Sequence, residues 1–187
     1  MANQTITHQH DIEVLRGKLK GKLLLPDDNE FIAASQAWNL SVEQHPALVI
    51  MAASAKDIQA AVKFSNENDL GVGVMCTGHG IGAPCNDGVL INTSQLRAVT
   101  INPESKRATV EAGASWNDVV GPAYSYGLAT LAGSAPHVGV VGYTVGGGFS
   151  YLGRKYGLGS SSVIEGEMVM ADGTLAKVNA DNNEELF

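Results

Sequence analysis

The spacing of apolar residues along this chain changes several times, and each change marks an element. Ile12, Leu15 and Leu19 recur at helical intervals and predict a short helix over about Asp11 to Lys20, ended by the run LLLP (Leu23 to Pro26). Glu30 to Asn39 reads as a second short helix, and ALVIMA (Ala47 to Ala52) as a buried strand. Ser54 stands where an N-cap is needed, with Asp57 at the third helical position. Ile58, Ala61, Val62 and Phe64 then line the inner side of a helix that stops near Asn68. A glycine-interrupted strand follows at Val72 to Cys76.

Beyond residue 88 the period shortens to two. VLINT (Val89 to Thr93), AVTIN (Ala98 to Asn102) and ATVEAG (Ala108 to Gly113) read as three consecutive strands, the last pair joined through Pro103, Glu104, Ser105 and Lys106. Ser115 with Asp118 opens another helix, which Gly121-Pro122 is expected to bend or shorten. EGEMVMADGTLAKVNA (Glu165 to Ala180) predicts a hairpin about the two-residue turn pair Asp172-Gly173. At the end, Asp181 as N-cap, Glu184 three places on and the apolar Leu186-Phe187 look like the start of a helix. One turn alone carries the nucleation cost without the propagation that offsets it, so the chain is expected to be the front part of a longer protein. The order of elements predicts an α+β fold of two α/β lobes: a small one up to roughly Asn86, and a larger, strand-rich one after it.

Composition narrows the functional classes. With 187 residues, 44% of them hydrophobic and 17% charged, the chain suits one packed domain or two small lobes. The net charge of −7 leaves no basic stripe to release counterions, so no nucleic-acid partner is expected. No apolar run approaches the roughly 18 residues that span a bilayer, and no membrane partner is expected. Two cysteines, Cys76 and Cys85, behind an N-terminus without an apolar leader, read as reduced thiols of a cytoplasmic protein.

The chemistry is concentrated in two glycine-rich loops, CTGHGIG (Cys76 to Gly82) and GSAPHVGVVGYTVGGG (Gly133 to Gly148). Glycine lets a backbone approach a ligand closely, and consecutive N–H groups in such a turn form a nest for phosphate oxygens. Two loops about fifty residues apart suggest a long, diphosphate-bearing ligand held at more than one point. Neither matches the G-x-x-x-x-G-K-[ST] phosphate loop, and no G-x-G-x-x-G joins a strand to a helix. The ligand reads as a nucleotide on a fold other than the Rossmann one. His8, His10 and His45 lack metal-ligand spacing with cysteines or acidic residues, and no metal is expected. No Ser-His-Asp or paired-carboxylate arrangement stands out.

The segment PHVGVVGYTVGGGFSYLGRKYGL (Pro136 to Leu158), with AWN (Ala37 to Asn39), HPALVIMAAS and the final NEELF, resembles the FAD-binding domain of the vanillyl-alcohol-oxidase/p-cresol-methylhydroxylase (PCMH-type) superfamily, in its berberine-bridge-enzyme-like branch. The resemblance covers nearly the whole chain. It implies a PCMH-type domain over residues 41–187 after an N-terminal helical segment at 1–40, with the substrate lobe absent. It implies FAD as cofactor, its pyrophosphate on the backbone of Cys76, Thr77, Gly78, Gly80 and Ile81. Further cofactor contacts fall on Gly133, Ser134, Val138, Gly139, Gly142, Thr144, Gly147 and Gly148 of the second loop, and on Val169. His79 holds the place of the histidine that carries the flavin covalently on its 8α-methyl. Doubly attached members also have a cysteine where this chain has Ala135, so at most one link, through His79, is expected.

The implied function is the FAD-binding portion of a flavin-dependent oxidoreductase, in which a substrate C–H or alcohol gives a hydride to flavin N5 and dioxygen or another acceptor reoxidises the flavin. No catalytic residue is assigned within this chain, which by itself is expected to be inactive. A small-molecule substrate belongs to the full-length protein, and surface left by the missing lobe would favour self-association. The alternative is a flavin- or nucleotide-binding fragment or subunit without catalysis of its own. His137 reads as a solvent-facing loop histidine, and Tyr143 and Tyr151 as core or surface aromatics. Trp38 and Trp116 read as structural, and Arg154 and Lys155 as solvated cations.

Overall fold

The computed structural model describes residues 9–187. His8 and the first part of the segment assigned to residues 1–40 lie outside the described residues. The fold is α+β. Its first helix, α1, spans Gln9–Lys18 and buries Ile12 and Leu15. A short strand that the sequence reading passed over, β1 (Lys22–Leu24), leads to α2, which at Phe31–Ser35 is shorter than expected.

Four strands form one sheet in the order β1, β2 (Leu48–Met51), β4 (Val89–Asn92), β3 (Val72–Met75). β1 runs antiparallel to β2, while β2 and β3 both run parallel to β4, with Ile50 and Val74 opposite Ile91. Leu48, Val49, Ile50, Val89, Leu90 and Ile91 are almost wholly buried, so both central strands are apolar on both faces. Each such side chain contributes roughly 1.5–3 kcal/mol of burial. Among the described residues before 41, β1 belongs to this sheet, so they are not helical alone.

Between β2 and β3 runs α3 (Ala55–Glu67), capped as expected: Ser54 Oγ accepts from the Asp57 N–H at 3.3 Å. Asp57 is buried beneath the cap. Its carboxylate accepts from the N–H groups of Lys20 (2.9 Å), Gly21 (3.0 Å) and Ala53 (2.8 Å) and from Ser54 Oγ (3.0 Å). Burial pushes this carboxyl up, but those four donors outweigh it and hold it below the usual carboxylate range. One aspartate thus ties the α1–β1 connection and the end of β2 to the start of α3.

The chain divides into two compact units, one of residues up to Gln95 together with Glu165–Phe187, the other Leu96–Ile164. The boundary expected near residue 86 would cut β4 out of the sheet it centres. The last residues rejoin the first unit through the hairpin of β7 (Glu165–Val169) and β8 (Leu175–Asn179). There Gln59 Nε2 donates to Gly173 O (2.9 Å) and Asn66 Nδ2 to Ala171 O (2.6 Å), fastening the hairpin to α3. Its turn is longer than the two-residue form expected. The Gly173 N–H donates to Met170 O and the Met170 N–H to Thr174 O, both at 2.8 Å, with Gly173 at φ +78°. That is a type I turn closed by a left-handed glycine. At the end of the chain Asn179 Oδ1 accepts from the N–H groups of Asp181 and Asn182, and a 3-10 turn forms at Glu184–Leu186 with Asn183, not Asp181, in the cap position.

In the second unit β5 (Val99–Asn102) and β6 (Arg107–Val110) form the expected hairpin. The helix α4 runs unbroken over Trp116–Ser125 with Pro122 inside it. The N–H that proline lacks would have paired with the fourth residue before it, Asp118, in the helix's first turn. Two short helices follow, α5 (Val140–Val145) and α6 (Gly153–Tyr156). Ala114, Trp116, Val119 and Val140 make the core, with Val99, Val110 and Tyr143 packed against it.

Candidate flavin site

The first glycine-rich loop leaves the end of β3 and is seated on the chain after α2. The Trp38 N–H donates to Thr77 O (3.1 Å) and the Asn39 N–H to Gly78 O (3.3 Å). Gly78 has φ +74°, and a Cβ there would lie 2.7 Å from Ala37 Cα. Only glycine fits at that position. Ile81 anchors the other side of the loop, packing against the buried cluster of Phe31, Val49, Met75 and Leu90. Between these anchors the loop turns outward. Gly80 and Gly82 have open space where a Cβ would stand. Among the described residues no acceptor takes the N–H of Gly78, Gly80 or Ile81.

His79 sits inside this seat. Its Nδ1 lies 2.7 Å from Thr77 Oγ1, and its Nε2 is buried. Trp38 stacks on the ring with centroids 4.4 Å apart and planes 15° from parallel. Trp38, 61% exposed, covers the imidazole. No local pattern could show this contact, because the partners are separated by a strand, a helix and a second strand.

Cys76 is half-buried in the loop, while Cys85 is buried in the core and its thiol is pushed up by burial. Gln44 Oε1 accepts from the Cys85 N–H (3.2 Å), so Cys85 belongs to the packing behind the loop.

The second loop is built differently. It folds back on the N-terminus of α4: the Asn117 N–H donates to Pro136 O (2.7 Å), the Trp116 N–H to Val138 O (3.0 Å) and the Val140 N–H to Ala114 O (2.9 Å). Tyr143 organises it. Its hydroxyl donates to Leu131 O (2.9 Å), and its ring meets Trp116 edge-on at 5.3 Å. Burial pushes the Tyr143 phenol up. A Cβ on Gly133 would stand 3.0 Å from the Tyr143 ring, and one on Gly148 (φ +73°) 2.8 Å from it. Gly142 and Gly147 have open space instead. Thr144 Oγ1 donates to Val140 O (2.8 Å) inside α5, where Gly139 is the N-cap. Ser134 is exposed and Val138 half-buried in the loop, and Val169 lies half-buried in β7 of the first unit. Trp116 Nε1 is buried without a hydrogen-bond partner among the described residues. Tyr151 is exposed, and Lys155 lies over the Tyr156 ring.

The comparisons with known proteins bear on this geometry. The family described as "FAD binding domain" matches residues 46–179. The chain belongs to that family. An uncharacterized FAD-linked oxidoreductase of Bacillus subtilis, YgaK, is 32% identical over 91% of this chain and 39% of its own length. The 6-hydroxy-D-nicotine oxidase of Arthrobacter nicotinovorans superposes with a TM-score of 0.84 at 28% identity, over 90% of this chain and 38% of that one. A berberine-bridge-enzyme-like protein of Physcomitrella patens gives 0.85 at 26% identity, over 94% and 39%. The resemblance to the vanillyl-alcohol-oxidase and berberine-bridge-like proteins therefore holds, with FAD as the cofactor. The chain spans under two-fifths of the length of these relatives.

The first loop fits such a cofactor on its own geometry. It offers backbone donors without an intramolecular acceptor, and glycines that leave room for a ligand, which is what a phosphate-bearing group needs. No described helix is long and apolar enough to cross a membrane.

Proposed function

We propose that this chain provides the cofactor seat of an FAD-linked oxidoreductase, with the FAD pyrophosphate on the N–H groups of the first loop. The observation that carries this is the row of unengaged donors at Gly78, Gly80 and Ile81 beside His79, where Gly80 and Gly82 face open space. In this reading Cys76 and Thr77 complete the backbone contact. Gly133, Ser134, Val138, Gly139, Gly142, Thr144, Gly147, Gly148 and Val169 supply further contacts along the cofactor.

When bound, the flavin supplies the redox chemistry, taking a hydride from a substrate C–H or alcohol. The chain's own part is to bind and orient it. Turnover on a small-molecule substrate is proposed for a protein of the relatives' full length, and cofactor binding for this chain. His79 is the one residue proposed to attach the flavin covalently. Its imidazole is a competent nucleophile, and Ala135 offers none.

The test is the identity of the ligand. Protein loaded from an equimolar mixture of FAD, NAD and ATP, washed and then heat-treated, is expected to yield FAD, either in the released fraction or still attached to the chain. Release of ATP or NAD with no flavin would overturn the reading. A flavin that survives acid precipitation should map to the peptide containing His79 and be lost in His79→Ala. A flavinylated peptide whose modified residue is Cys76 or Cys85 would refute that assignment.

A further inference from the structure

His79 is held on two sides by side chains of its own chain. Thr77 Oγ1 engages Nδ1 at 2.7 Å, and Thr77 makes no other side-chain hydrogen bond among the described residues. The Trp38 ring lies flat on one imidazole face, 4.4 Å away, although the backbone of Trp38 is already fixed by the Thr77 carbonyl. Residues 77 and 79 are thus joined to residue 38 twice, through main chain and through side chains. The remaining ring nitrogen, Nε2, is buried. One ring nitrogen is thus engaged by Thr77 and the other is enclosed.

We propose that Thr77 and Trp38 form a latch on His79, holding the imidazole in one tautomer and one closed orientation, and that opening this latch limits how fast His79 bonds to a flavin. The inference rests on the reading of His79 as the residue next to the cofactor. For the bond to form, the ring must slide out from under Trp38 and give up its contact with Thr77. An imidazole nitrogen then joins the flavin 8α-carbon. The ring N–H and one 8α C–H are lost, and their two protons and two electrons leave the flavin in its two-electron reduced form. Dioxygen takes those electrons and becomes hydrogen peroxide. Thr77 and Trp38 are positioning residues in this account, since they act through His79.

The latch is tested with and without cofactor. In the ligand-free 187-residue chain, ¹⁵N shifts of the imidazole are expected to show one tautomer. In Thr77→Val, which keeps the shape and removes the hydroxyl, they should move toward averaged values, while Thr77→Ser should resemble the parent. With excess FAD in air, the flavin that resists acid release should accumulate about three- to tenfold faster in Thr77→Val, the effect of losing one net hydrogen bond. Trp38→Leu should change the rate in the same direction. Averaged shifts in the parent, unchanged shifts in Thr77→Val, or slower attachment in that variant would each overturn the latch. If no protein takes up FAD at all, the flavin reading fails instead, and the latch stands or falls on the ¹⁵N shifts alone.

Discussion

The two glycine-rich loops look alike as strings of letters, yet their glycines do different work. In the first loop one glycine, Gly78, is pressed against Ala37, and its neighbours Gly80 and Gly82 face open space. In the second, Gly133 and Gly148 are glycines because the Tyr143 ring occupies the room a side chain would need. The first loop leaves backbone donors unengaged, whereas several carbonyls and N–H groups of the second are paired with the start of α4. Glycine enrichment therefore has two causes in one molecule: access for a ligand, and close packing on an aromatic ring. The helix starts make a second pair. Asp57 and Asp118 each stand three residues after a serine cap, but Asp57 gathers three backbone donors from outside its helix. Among the described residues, Asp118 serves Ser115 and, at 2.6 Å, Arg97.

The hardest test of the first contrast is Gly78→Ala. A left-handed alanine and an overlap with Ala37 should together cost roughly 2–5 kcal/mol, seen as a lower urea midpoint. Parent-like stability would show that the loop is not seated as described. Next in size, Asp57→Asn should cost about 2–4 kcal/mol by setting a donor against buried N–H groups, and Asp118→Asn clearly less. Both carboxyls lie below their ordinary range, with burial opposing and hydrogen bonds prevailing, helped at Asp118 by the Arg97 charge. Their stabilisation is therefore present above the unfolded carboxylate pKa and is lost as the pH falls through the depressed folded values. Urea melts from neutral pH down to strongly acid pH should show an acid loss that is smaller in Asp57→Asn than in the parent. Equal losses would contradict the role given to Asp57. Tyr143→Phe removes one hydrogen bond and should cost about 1 kcal/mol, readable in the same melts. A cost near zero would mean that Leu131 O does not hold the second loop.

Local features were legible in the sequence. The Ser54 cap and the β5–β6 and β7–β8 pairings follow from side chains within a few residues of one another. The motif around Pro136 to Leu158 led to the family. What failed to show was whatever depends on distant partners. β4 reads as the first of three consecutive strands, but its apolar faces on both sides belong to the parallel sheet between β2 and β3. The return of the last hairpin to α3 rests on Gln59 and Asn66, two polar residues with no pattern to single them out. Trp38 is the clearest case at the candidate site: only the fold brings it onto His79. Pro122 is a different case: the helix continues through it to Ser125, and the bond it forfeits would have gone to Asp118 in the first turn.

The account's central claim is that the open backbone of the first loop holds the cofactor. The most direct measurement is a titration of the chain with FAD, followed by flavin absorbance, beside Gly80→Val. Gly80 has nothing near its missing Cβ, so the variant should melt within about 0.5 kcal/mol of the parent. The account predicts that a side chain there fills the ligand's space and weakens FAD binding at least about tenfold, roughly 1.4 kcal/mol. Unchanged FAD affinity in a folded Gly80→Val protein would contradict it and move the cofactor away from this loop.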